Sequence, residues 1–191
     1  PGVVHDVSRT GETAFVEPLN INFTADGSKA YVGNYGAHWV GVIDVRRHEL
    51  LKKIQIAEFP GIAKLDPEKH LGEVHGINIA QMANDGRYLY AADGDLGVVG
   101  VIDSREDKIV KVIRVGKDPW RIYMSHDGKY AITPNNGDQT ISIIDLKAGK
   151  VAATLEAGPN MTGVNFAAGK AFVISSTSGF VYIYDMNSLK P

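Results

Sequence analysis

A β-branched run ending in aspartate recurs along this chain, and its spacing constrains the fold more than any other feature. Trp39-Val-Gly-Val-Ile-Asp44, Val98-Val-Gly-Val-Ile-Asp103 and Thr140-Ile-Ser-Ile-Ile-Asp145 end alike, and Phe180-Val-Tyr-Ile-Tyr-Asp185 has the same shape. An Asp-Gly pair sits at a constant offset ahead of the first three: Asp26-Gly27, Asp85-Gly86 and Asp127-Gly128. In the fourth copy Gly169 takes that place, in a unit one residue shorter. From aspartate to aspartate the intervals are 59, 42 and 40 residues, so the unit is about 40 residues and the first interval carries an insertion.

Each unit reads as four short strands. An apolar run (Asn20–Phe23, Ile77–Gln81, Arg121–Met124, Gly163–Phe166) leads into the Asp-Gly turn, where glycine supplies the positive φ of a tight hairpin. A second strand follows (Lys29–Gly33, Tyr88–Ala92, Tyr130–Thr133, Ala171–Ser175), then the β-branched third strand. A turn leads to an outer strand at Leu51–Ile56, Ile109–Val115 or Val151–Glu156. Four antiparallel strands per 40-residue unit predict an all-β fold, a β-propeller of four-stranded blades, because stacking blades around an axis buries both faces of each sheet.

The phase of the repeat predicts residues 1–18 as the end of a preceding blade, 19–56 as blade one, 57–75 as an inserted interblade loop, and 76–118 as blade two. Residues 119–158 form blade three, and 159–191 form a blade four that lacks its outer strand. Val3-Val-His-Asp6 matches the end of a third strand, and Thr13–Val16 an outer one. About four blades are therefore present. Either Thr13–Val16 closes a four-bladed ring against blade four, or the chain is a segment of a larger seven- or eight-bladed ring. The redundant third strand at the start favours the segment. The sequence opens on Pro1, so any targeting segment is removed or lies outside it.

Asp26-Gly-Ser-Lys-Ala-Tyr-Val-Gly-Asn34 and Asp127-Gly-Lys-Tyr-Ala-Ile-Thr-Pro-Asn135 resemble the YVTN family of β-propeller repeats. Val42-Ile-Asp44, Val101-Ile-Asp103 and Ile143-Ile-Asp145 supply that family's Val-Ile-Asp strand, and Pro18, Pro119 and Pro159 its lead-in proline. Departures are Ala91-Ala-Asp93 in blade two and Ala168 in place of the turn aspartate in blade four. The same sheet logic is similar to that of the haem d1-binding propellers of cytochrome nitrite reductases and their periplasmic relatives. The resemblance implies a periplasmic or extracellular setting.

Composition narrows the chemistry. Twenty basic against 22 acidic residues give a net charge of −2, with no basic footprint for nucleic acid. Zero cysteines exclude disulfides, thiolate metal sites and a covalently attached c-type haem within these residues. No apolar run approaches the ~20 residues of a membrane span.

Candidate chemistry gathers on one face, where the links from second to third strands and the interblade lead-ins meet the channel mouth. The insertion, Ala57 to His75, lies there and is expected to shape a binding site, as long loops in compact repeats often do. His38, His70 and His75 map to that face. With carboxylates such as Glu73 and Asp66 they form a candidate divalent-metal set, and His75 is a candidate axial ligand or proton donor to a haem. Exposed loop histidines are the alternative. Trp120 and Arg121 open an inner strand and are candidates for stacking a planar cofactor, or for plain packing between blades. The repeating aspartates Asp44, Asp103, Asp145 and Asp185 read as turn caps. His48 and His126 fall in turns on the opposite face.

Two functions fit. The first is a non-enzymatic binding scaffold presenting the channel-mouth face to a protein or small-molecule ligand, and it is our expectation from sequence. The second is a module of a periplasmic oxidoreductase or cofactor-handling protein carrying haem d1 or a histidine-bound metal. Either allows a further chain segment or subunit to complete the ring.

Overall fold

A computed structural model of the chain describes residues 15–62 and 74–191. Fifteen strands make up four antiparallel sheets, each built from strands consecutive in sequence, and no helix occurs among the described residues. The first sheet is β1 (Pro18–Phe23), β2 (Lys29–Asn34), β3 (Trp39–Asp44) and β4 (Glu49–Gln55). The second is β5 (Ile77–Met82), β6 (Tyr88–Asp93), β7 (Val98–Asp103) and β8 (Lys108–Arg114). The third is β9 (Tyr123–Met124), β10 (Tyr130–Asn135), β11 (Thr140–Asp145) and β12 (Lys150–Glu156). The last is three-stranded: β13 (Met161–Ala167), β14 (Lys170–Ser175) and β15 (Val181–Asp185).

The sheets stack face to face as propeller blades: β1 packs against β5, β8 meets β12, and β10 meets β13. Strand alternation explains how one sequence serves two neighbours. In the second sheet Leu89, Ala91, Val98 and Ile102 face the first sheet, joining Tyr31, Val42, Ile54 and Ile56. Their in-between neighbours Tyr90, Ala92, Val99 and Val101 face the third, against Ile122, Ala131 and Ile144. Ile132, Ile141 and Ile143 then pack on Val164, Ala171, Val173 and Tyr184 of the last sheet. A period of two thus splits each middle sheet between two cores. Three cores hold four blades.

The outward faces of the end sheets have no such cover among the described residues. Asn20 and Asn22 turn toward β5, where Asn22 Nδ2 donates to Ala80 O at 2.6 Å, and this leaves Leu19, Ile21 and Phe23 about half exposed. Ile174, Val181 and Ile183 are equally exposed at the other end.

The turns repeat as faithfully as the strands. Gly27, Gly86, Gly128 and Gly169 all have φ between +66° and +71° at the first hairpin of their sheet. In the fourth, Ala168 is also at φ +49°, giving a two-residue turn with both central residues left-handed. This accounts for the shorter unit and the missing aspartate. The repeating aspartates cap the next turn: Asp44 accepts from the Arg46 and Arg47 amides, Asp145 from Ala148, and Asp185 from Asn187 and Ser188. Each outer strand also carries a bulge at one place, leaving Leu51, Val110 and Ala152 without a partner.

Two expectations need correction. The inner strand of the third sheet is only Tyr123–Met124, because Pro119 and Trp120 already pair outside the strand with Asn135 and Pro134, so Arg121 lies in irregular chain. Phe15 and Val16 are not in a strand, and the remainder of Thr13–Val16 falls outside the described residues, as does Val3–Asp6.

Leu89 and Ile141 are fully buried in different interblade cores. Leu89→Ala and Ile141→Ala should each lower the unfolding free energy by about 2–5 kcal/mol in urea denaturation.

Candidate functional site

Four connections meet at one end of the sheets: the β2–β3 link, the lead-in to β5, the β6–β7 link and the lead-in to β9. Each link rests on the lead-in of its own sheet through one repeated hydrogen bond. The Tyr35, Gly94, Asn136 and Ser176 amides donate to the carbonyls of Glu17, Gly76, Asp118 and Asn160. The first two sheets are further tied together here, because Gly76 N donates to Tyr35 O at 2.7 Å and Ile77 N to Ala37 O at 3.1 Å. Only glycine allows that approach, since a Cβ on Gly76 would lie 2.0 Å from Ala37 O. Gly94 serves likewise, with its Cβ position 2.6 Å from His75 O and 2.9 Å from Asp118 Oδ1.

The result is a pair of carboxylate-anchored imidazoles. His38 Nδ1 lies 2.9 Å from Asp93 Oδ2, and His38 Nε2 lies 3.7 Å from Asp95. His75 Nδ1 lies 3.2 Å from Asp118 Oδ1. Asp95 connects the two, because its Oδ2 also accepts from His75 N at 3.0 Å. Tyr35 stacks on the His75 ring with centroids 5.4 Å apart and meets the Trp120 ring edge-on at 5.6 Å. The Arg121 guanidinium sits 5.8 Å from the Trp120 ring, and its Nε is buried without a hydrogen-bond partner among the described residues. On β5, Asn78 is 2% exposed, and neither amide atom has a hydrogen-bond partner among the described residues.

Of the sequence candidates, His38, His75, Trp120 and Arg121 all lie at this end, and Asp95 and Tyr35 join them into one constellation. His70, Asp66 and Glu73 lie outside the described residues. Among the described residues no three metal-ligating side chains converge. The residues missed from sequence are Tyr35 and the three aspartates. Asp93 was signalled by its departure from the repeat: Asn34 and Asn135 are fully buried at the same place on β2 and β10, and only β6 puts a carboxylate there.

Burial works against the charge on His38, but the hydrogen bond and charge of Asp93, with Asp95 behind, outweigh it and raise its pKa above 6.5. Burial pushes Asp93 up as well, with His38 pulling it back. Both shifts have one sign: the folded state binds protons more tightly than the unfolded chain. The stabilisation from His38 is complete below pH 6.5 and is lost as pH rises through its elevated pKa. The urea midpoint should therefore fall as pH is raised above 6.5, and Asp93→Asn should flatten that dependence while keeping the fold.

Residues 62–154, just under half of the chain, match the family described as Cytochrome D1 heme domain. No curated protein sequence matches. Among solved structures, hydrazine synthase of Kuenenia stuttgartiensis superimposes with a TM-score of 0.72 at 22% identity, over 94% of this chain and 49% of that one. The dihydro-heme d1 dehydrogenase NirN, in complex with DHE, gives 0.67 at 19% identity, over 92% of this chain and 36% of that one. The chain thus spans about half of the first and little more than a third of the second. In fold, this chain is a d1-like β-propeller of about four blades.

Proposed function

We propose that the channel-mouth face binds a planar tetrapyrrole of the haem d1 class without covalent attachment, as part of a periplasmic redox or cofactor-handling protein. One observation carries the reading: His75 is held through Nδ1 by Asp118 and stacks on Tyr35, from which a chain of contacts runs through Trp120 to Arg121. An imidazole fixed through Nδ1 offers Nε2 to a ligand, the arrangement that carboxylate partners impose on metal-binding histidines. Trp120 and Tyr35 offer apolar ring faces, and Arg121 a cation for tetrapyrrole carboxylates. The orphaned Asn78 amide and Arg121 Nε are polar atoms that a ligand would satisfy, so the residues present fit such a group. Bound haem d1 would supply a redox-active iron. The chain's own residues would orient it, and the His38–Asp93 pair would hold a proton beside it.

The likeness to a cofactor-binding domain shifts the weight from the scaffold expectation toward this reading. Ring completion belongs to the same proposal. The exposed faces at Leu19, Ile21 and Phe23 and at Ile174, Val181 and Ile183 are where further blades, from the same chain or a subunit, would pack.

Titration with haem d1, followed by visible spectroscopy, tests the reading. We expect saturable binding with an imidazole-ligated spectrum. His75→Ala should weaken it at least tenfold, about 1.4 kcal/mol, whereas His126→Ala, on the opposite face, should leave it unchanged. A chain that stays colourless returns this face to the scaffold reading.

A further inference from the structure

The opposite end of the blades holds a second difference between repeats. Between the first and second sheets, Tyr31 and Lys29 of β2 meet one carboxylate in the β7–β8 turn. Tyr31 Oη donates to Asp107 Oδ1 at 2.5 Å and Lys29 Nζ to Asp107 Oδ2 at 2.6 Å. Lys52 of β4 closes the group by donating to Asp107 O at 2.7 Å. Asp107 sits at φ +49°, the left-handed residue just before β8.

The next interface repeats the tyrosine and the outer-strand lysine, puts Tyr88 at the register of Lys29, and omits the carboxylate. Tyr90 pairs with Val101 as Tyr31 pairs with Val42, and Lys111 pairs with Val101 as Lys52 pairs with Val42. The left-handed residue before β12 is Gly149, at φ +61°. In place of a side chain there is an open cavity of about 290 Å³, lined by Tyr88, Tyr90, Lys111, Lys147 and Gly149 over an apolar floor that includes Val110. The Lys111 ammonium reaches toward the vacated position, 2.7 Å from where a Gly149 Cβ would be, and donates to Ala148 O at 3.4 Å. Neither Lys111 nor Lys147 has a carboxylate partner among the described residues. Tyr90 is 4% exposed, and burial, with Asp85 and Tyr88 nearby, pushes its pKa up to about 12, so it remains a neutral O–H donor.

We infer that this cavity is a binding site for a small organic carboxylate, whose anionic end takes the place that Asp107 fills one interface earlier. Two lysines and a buried phenol supply donors of the kind that hold Asp107. The apolar floor of Val101, Val110 and Leu146 favours an acid with a carbon chain over an inorganic anion. The site lies at the end of the blades away from His75 and is independent of the tetrapyrrole reading.

Titrating the ¹⁵N-labelled chain with sodium succinate, at ionic strength matched with chloride, tests it. Saturable amide shifts centred on Lys111 and Lys147–Gly149 are expected, with a Kd on the order of 1 mM. Lys111→Met, at an exposed position, should weaken binding at least tenfold. Gly149→Asp should abolish it by installing the resident carboxylate, since Asp107 already tolerates that backbone conformation. Absence of saturable shifts, or shifts of equal size in Lys111→Met, would overturn the inference. Inorganic phosphate binding as tightly as succinate would overturn the assignment to an organic acid.

Discussion

The structure depends on burying both faces of every middle sheet against its neighbours. A sheet of four short strands exposes two apolar faces to water, and the face-to-face stack removes both. This is why β7 and β11, in the middle sheets, are buried along most of their length, in contrast to a half-wet antiparallel strand. Small residues at Ala91, Ala92 and Gly100 let adjacent sheets approach, and Ile56 of the first sheet fills the space that Gly100 leaves, 2.9 Å from its Cβ position. Everything at the two ends of the blades is positioned by this stack.

Both sites arise where one repeat breaks a rule that its neighbours keep. The buried polar residue ending each second strand is structural in Asn34, which satisfies the Val32 and Trp39 carbonyls. At Asp93 the same location carries a charge, and a charge buried there requires the imidazole of His38. At the far end, the left-handed turn position is an aspartate in one repeat and a glycine in the next, and the difference is a cavity. A repeat provides a built-in comparison: the tyrosine and outer-strand lysine recur, while Lys29 becomes Tyr88 and Asp107 becomes Gly149.

The two His–Asp pairs divide their labour by burial. His38–Asp93 lies inside the contact between two sheets and couples their packing to protonation. His75–Asp118 is more exposed, with the Tyr35 ring stacked on the imidazole. Asp95 bridges them, lying 3.7 Å from His38 Nε2 and accepting from the His75 amide.

The propeller was legible in the sequence because its causes are local and periodic. β-Branched runs form strands, Asp-Gly and the capping aspartates form turns, and a 40-residue period forces equal sheets to stack. Bounds moved by only a residue or two, except at Arg121, which falls between the Pro119–Asn135 bridge and a β9 of only two residues. His38, His75, Trp120 and Arg121 could be assigned to one end of the blades by counting strands. Their partners could not, because Asp93, Asp95 and Asp118 lie 20 to 55 residues from the histidine groups they hold. Only the stacking of one sheet on the next brings those carboxylates within hydrogen-bonding distance, and only the same stacking turns the missing side chain of Gly149 into an open cavity between two blades. Local chemistry set each blade, and the packing between blades decided which charges meet.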